Sequence, residues 1–179
     1  MATIRDPVGR PGDTGDAQMD GRDLSRVSGD DASRRGGLAV LHDDHRRVRD
    51  LCARLDGEGD SAEATAGQLC RELELHEHLE SDVLYPAAER AGVAGDVLAQ
   101  AHRAHHDLAG IVQEVATLTA GDDRFAAATR SLIGHARQHI EDEERTLFPI
   151  LERALGAALV DLGAELESYR ARLTTPESQ

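Results

Sequence analysis

One chemical pattern is written twice in this chain. His76-x-x-x-Glu80-x-x-x-Leu84-Tyr85-Pro86-x-x-Glu89-Arg90-Ala91 returns as His139-x-x-x-Glu143-x-x-x-Leu147-Phe148-Pro149-x-x-Glu152-Arg153-Ala154, 63 positions later. Ahead of each copy stands a second pattern, His42-x-x-His45-x-x-Val48-x-x-Leu51 and His102-x-x-His105-x-x-Leu108-x-x-Ile111, offset by 60. A duplicated helix pair that keeps a histidine and a glutamate one turn apart, inside an otherwise apolar stripe, is poorly explained by packing. It points to a metal site with pseudo-twofold symmetry.

The apolar spacing supplies the fold class. Leu41, His45, Val48, Leu51, Cys52 and Leu55 recur at helical spacing over about 38–56. A second helix is predicted over about 61–91, with Asp60 or Ser61 as its cap and Glu63 in its first turn, where an acid favours the helix dipole. A third is predicted over about 96–119 with Asp96 as N-cap, and a fourth over about 123–155. Leu159, Leu162, Leu166, Tyr169 and Leu173 mark a fifth, over about 156–173, which either packs outside the others or continues the fourth past Gly156. Short breaks between consecutive helices imply antiparallel neighbours. The expected architecture is all-α: an up-down-up-down four-helix bundle over 38–155, a C-terminal helix and tail over 156–179, and a disordered segment over 1–37, which is rich in Gly, Asp and Arg. Pro86 and Pro149 fall inside helical patterns and read as a shared kink or terminus.

Composition excludes several classes. A net charge of −14 argues against a nucleic-acid-binding surface and against docking on anionic lipid. No signal-peptide-like apolar run and no membrane-span-length stretch occurs, so the expected compartment is the cytoplasm. The basic residues are all Arg, a usage that fits a GC-rich bacterial genome. Cys52 and Cys70 make no disulfide framework and read as two inert buried thiols.

Residues four apart share a helix face, so His76 and Glu80 present an imidazole and a carboxylate to one point, and His139 and Glu143 do the same. His45 and His105 each add an imidazole from the other two helices. Burying unpaired carboxylates is costly, and two metal ions bridged by Glu80 and Glu143 would answer that cost. Mixed imidazole and carboxylate donors suit iron or manganese. Ferritin-like proteins order the pair as Glu-x-x-His; no histidine here has a glutamate three residues before it.

The order His45, His76-x-x-x-Glu80, His105, His139-x-x-x-Glu143, with the flanks Asp44-His45-Arg46-Arg47-Val48, Leu84-Tyr85-Pro86 and Leu147-Phe148-Pro149, resembles the hemerythrin-like (HHE cation-binding) domain over about 38–155. The resemblance implies a non-haem di-iron centre, oxo- or hydroxo-bridged, with carboxylates from the second and fourth helices joining two irons. It also implies dioxygen, peroxide or nitric oxide as the partner at an open iron position. Oxygen-carrier members use a His-x-x-x-His pair on the third helix, which here would be His102 and His106; the internal repeat favours His105. Some members place the fourth-helix acid one residue later, at Glu144; the repeat favours Glu143.

The remaining candidates are open at this stage. His42 and His102 are further ligands, proton relays, or surface histidines kept by duplication. His135 is an additional ligand or a donor behind one. His78 and His106 read as solvent-facing. Tyr85, replaced by Phe148 in the second copy, would ligate iron or quench a radical, but ordinary packing is the simpler reading. Glu141, Asp142 and Glu144 could back the ligating histidines. Three functions compete: a binding or sensing module, an enzyme of the catalase or nitric-oxide and iron-centre stress type, and an iron-responsive interaction module.

Overall fold

The computed structural model describes residues 36–57 and 62–175. The expected disorder before residue 36 and the Asp60 or Ser61 cap fall outside these residues. Five helical rods follow one another, and no strand occurs among the described residues. The first rod is α1, Gly37–Asp56. The second is compound: α2 over Ala62–Leu79, a π turn over Glu80–Leu84, and α3 over Tyr85–Arg90. The third is α4, Gly95–Ala116. The fourth repeats the compound pattern, with α5 over Phe125–Asp142, a π turn over Glu143–Leu147, and α6 over Phe148–Leu155. Gly156, at φ +52°, breaks the rod, and α7, Leu159–Thr174, follows. Of the two readings of the C-terminal stretch, the separate outer helix is the one formed.

Each of the first four rods packs on its chain neighbour, and the fourth closes on the first. The core divides into two apolar layers. One gathers Val48, Leu51, Leu69, Leu73, Leu108, Val112, Leu132 and Ile140; the other gathers Leu41, Leu79, Leu84, Leu98, Leu147, Leu151, Leu162 and Leu166. The second layer uses the start of α1, the end of the second rod, the start of α4 and the end of the fourth rod. Such alternation is the signature of the up-down-up-down bundle. Leu69 and Leu132, equivalent in the repeat, are both fully buried. Leu132→Ala is expected to cost about 2–5 kcal/mol in urea unfolding, through lost apolar contact and the cavity left behind.

Two local expectations need correction. Asp96 does not cap α4, which starts earlier: its N-cap is Ala94, and the Asp96 carboxylate accepts from the Val97 N–H, at 2.9 Å, inside the first turn. The two prolines neither end nor simply kink their helices. Each follows a π turn, in which the Tyr85 N–H bonds to the Glu80 carbonyl and the Phe148 N–H to the Glu143 carbonyl. A proline has no N–H to give to the preceding turn and its ring crowds that turn's carbonyls. Widening the turn by one residue relieves the crowding and lets a fresh α-helix start with proline in its first turn, where the missing donor costs nothing.

Helix α7 lies against α1 and the second rod. Its Leu162 and Leu166 are buried, and it approaches the start of α1 closely. A Cβ at Gly37 would stand 3.1 Å from Leu162 Cγ, so the absence of a side chain there permits the contact.

Candidate metal centre

Between the two apolar layers lies a polar one. His45, His76, Glu80, His105, His139 and Glu143 are all buried, none more than 6% exposed. The four imidazoles turn the same atom, Nε2, toward the carboxylates. Glu143 Oε2 is 3.2 Å from His45 Nε2, 3.5 Å from His76 Nε2 and 3.4 Å from His139 Nε2. Glu80 Oε2 is 3.1 Å from His105 Nε2, and Glu80 Oε1 is 3.7 Å from His76 Nε2. One donor atom from each of His76, Glu80, His105, His139 and Glu143 falls within a 4.8 Å circle.

Burial and charge oppose one another across the cluster. Burial opposes ionisation of Glu143, yet His139 and the facing imidazoles of His105, His45 and His76 hold its carboxyl well below the usual range. Burial, reinforced by the neighbouring imidazoles of His76, His105 and His45, pushes His139 down to about 3 against the pull of Glu143. His105 moves the other way, up to about 9; burial resists its charge, but Glu143 and Glu80 together outweigh burial. His45 Nε2, Glu80 Oε1 and Glu143 Oε2 are buried with no hydrogen-bond partner. Buried polar atoms are rarely left so, and three orphans around one space fit a metal bound there.

The structure separates the alternatives left open by the sequence. His105 enters the cluster, whereas His102 and His106 are exposed. Glu143 enters it, whereas Glu144 stands behind His45, 2.9 Å from Nδ1, and is gripped by both terminal nitrogens of Arg49 at 2.9 and 2.7 Å. That grip lowers the Glu144 carboxyl to about 2. His42 and His135 lie outside the buried cluster of six, though His42 groups with His45 and Glu144 in a second set of possible metal donors. The His42 side chain is 45% exposed and sits 3.3 Å from Glu144. His135 is exposed and its Nδ1 lies 2.8 Å from its own helix's Ser131 carbonyl. His78 is exposed as well, beside Asp82. Cys52 and Cys70 are free and buried, and burial raises both thiols to about 11, which leaves them inert.

Tyr85 is the residue the sequence reading undervalued. Its phenol donates to Glu80 Oε2 at 2.7 Å and lies 3.2 Å from His105 Nε2 and 3.4 Å from Glu143 Oε1. In a regular α-helix, at roughly 100° per residue, Tyr85 would stand about 140° away from Glu80. The π turn, closing five residues onto one turn, brings it back over Glu80. The paired prolines were the available signal, but proline marks a disturbed helix without saying which way the next residue is turned. On the other half of the pseudo-twofold, Phe148 makes the equivalent excursion and stacks on His45 at 5.4 Å with its ring edge-on to His42. Tyr85→Phe is expected to cost the metal-free chain about 1–3 kcal/mol in chemical denaturation, because the Glu80 carboxylate loses a buried donor. An unchanged midpoint would show that the phenol contributes nothing.

The cluster is not sealed on every side. A cavity of about 220 Å³ lies between α2, α4 and α5, with His76, His105 and His139 in its wall and Glu74, Glu77 and Gln113 among its lining. A second, of about 100 Å³, reaches His139 and Glu143 between α4 and the fourth rod. Both touch His139, and the larger also touches His105.

Fold and buried donors together define a helical-bundle protein suited to binding metal, with iron suggested by the mixed imidazole and carboxylate set. The chain belongs to the hemerythrin HHE cation binding domain family, whose model matches residues 36–151. No curated protein and no solved structure is significantly similar to it. Among the described residues no helix is long and apolar enough to cross a membrane.

Proposed function

We propose that this chain is a non-haem di-iron protein that binds a small oxidant, dioxygen, peroxide or nitric oxide, for sensing, carriage or detoxification in the bacterial cytoplasm. The observation that carries the reading is the set of six buried donors from four rods, two of them carboxylates placed between imidazoles. The Nε2 atoms of His45, His76, His105 and His139 and the carboxylates of Glu80 and Glu143 would hold the irons. Two irons, when bound, supply electrons and an open position for a diatomic or peroxide ligand.

The chain's own residues do the rest. Glu144 fixes the Nδ1 side of His45, which leaves Nε2 free to face the centre. Tyr85 holds a hydroxyl proton at the Glu80 side; burial and the two carboxylates push the phenol far above its usual range, so it remains a donor. The apolar layers above and below exclude bulk water, and the two cavities supply room for a small molecule beside His139. Unpaired thiols accord with a reducing compartment.

A catalase-like or nitric-oxide-consuming enzyme remains the second reading, since the same open side would admit a substrate. Iron content together with optical spectra of reduced, oxygenated and peroxide-treated protein tests both. Two irons per chain and a visible charge-transfer band that appears with oxygen and leaves under vacuum support reversible binding. Steady release of oxygen from peroxide supports the enzyme. Absence of iron from protein produced with iron in excess overturns the proposal.

A further inference from the structure

His76 has a feature that its repeat partner lacks. Its Nδ1, on the side away from the cluster, is buried without a hydrogen-bond partner, and Asp44 Oδ2 faces it at 3.9 Å. Asp44 is itself buried, with 2% of its surface exposed, and could not remain charged there alone. Two guanidinium groups answer it. Arg47, one turn along the same helix, takes Oδ1. Arg170 reaches in from α7 and takes Oδ2, the same oxygen that faces His76.

The charge of Arg170, on the outer helix, therefore bears on the metal centre. Most of its length is buried, and burial lowers its own tendency to stay charged. Helix α7 lies wholly beyond the residues matched by the family model. The position equivalent to Asp44 in the second half of the repeat is Ala104, so the duplication does not supply this arrangement, and its Arg170 contact comes from outside the residues that the family model matches.

We propose that α7 is part of the metal centre, with Arg170 acting as a positioning residue: it fixes Asp44 Oδ2 opposite His76 Nδ1 and so keeps His76 Nε2 directed at the metal. A neutral imidazole carries one N–H. A carboxylate facing Nδ1 favours the proton there and leaves the Nε2 lone pair for a cation. Without Arg170, Asp44 keeps only the Arg47 contact at its other oxygen and is free to turn away. The proposal rests on His76 being a ligand, as in the function proposed above.

The test uses the full chain, loaded anaerobically with ferrous iron, and reads the rate at which a chelator removes it. The wild-type iron count reports on the metal site itself; the ratio of variant to wild-type rates reports on Arg170. Arg170→Gln is expected to release iron on the order of 10–100-fold faster, the usual effect of losing a group behind a metal-bound histidine. Arg170→Lys should restore most of the difference. Asp44→Asn should match Arg170→Gln, and the double variant should be no worse than either, because both act through one contact. Leu166→Ala, which loosens α7 without touching the ion pair, should lower the unfolding temperature yet release iron near the wild-type rate. The inference is overturned by a wild-type release rate in Arg170→Gln, by additive effects in the double variant, or by Leu166→Ala matching Arg170→Gln. A wild-type chain that takes up no iron overturns it together with the function it rests on.

Discussion

A chain carrying Glu143→Ala is expected to hold well under the two irons proposed for the wild type after loading in excess metal. Glu143 is the hub of the cluster. Its Oε2 faces three imidazole Nε2 atoms at 3.2–3.5 Å, and its Oε1 lies 3.4 Å from the Tyr85 hydroxyl and 3.8 Å from His105 Nε2. Removing it deletes a donor shared between both halves of the site and leaves four imidazoles facing one another without their main counter-charge. Loss of one partner from a buried charged set costs about 3–5 kcal/mol, so the metal-free variant should also unfold more readily. Glu144→Ala, one residue along, gives the contrast. It removes only the group behind His45, and the iron count should stay near two while affinity falls on the order of 10–100-fold. Two firmly bound irons in Glu143→Ala would contradict the site assignment. So would equal damage from the two substitutions.

Iron removal should produce the second large effect, a fall in unfolding temperature with little loss of helix. A ligand present at about 1,000 times its dissociation constant stabilises the native state by roughly 4 kcal/mol. For a chain of this size each kcal/mol shifts the midpoint by about 2–4 °C, so chelation should lower it by about 8–16 °C. Helicity at 25 °C should persist, because the two apolar layers on either side of the polar one do not depend on metal. Circular dichroism during thermal unfolding, with and without chelator, measures both quantities. Collapse of the helical signal on chelation at 25 °C would favour the iron-responsive interaction module instead.

Much of the site was legible before the structure, for one reason. The donors recur with the period of a helix and the whole pattern recurs in the chain, so His45, His76, Glu80, His105, His139 and Glu143 could be placed on inward faces by spacing alone. The choice of Glu143 over Glu144 came from the repeat in the same way, and so did the choice of His105 over His106. His42 and His102 also match each other at offset 60, but they lie outside the buried six: His42 is half-exposed beside Glu144 and groups with it and His45, and His102 is exposed.

Sequence by itself determined the helical class, the antiparallel order of the rods and the inward stripe of donors, because each follows from intervals along one chain. Tertiary structure alone decided three things. The π turns after Glu80 and Glu143 shift the register by one residue and carry Tyr85 into the cluster. Arg49 on α1 and Glu144 on the fourth rod meet behind His45. Arg170, 126 residues from Asp44, closes on it across helices. Each of these depends on how rods sit against one another or on where a backbone hydrogen bond changes partner, and neither is encoded in the spacing of residues along a single helix.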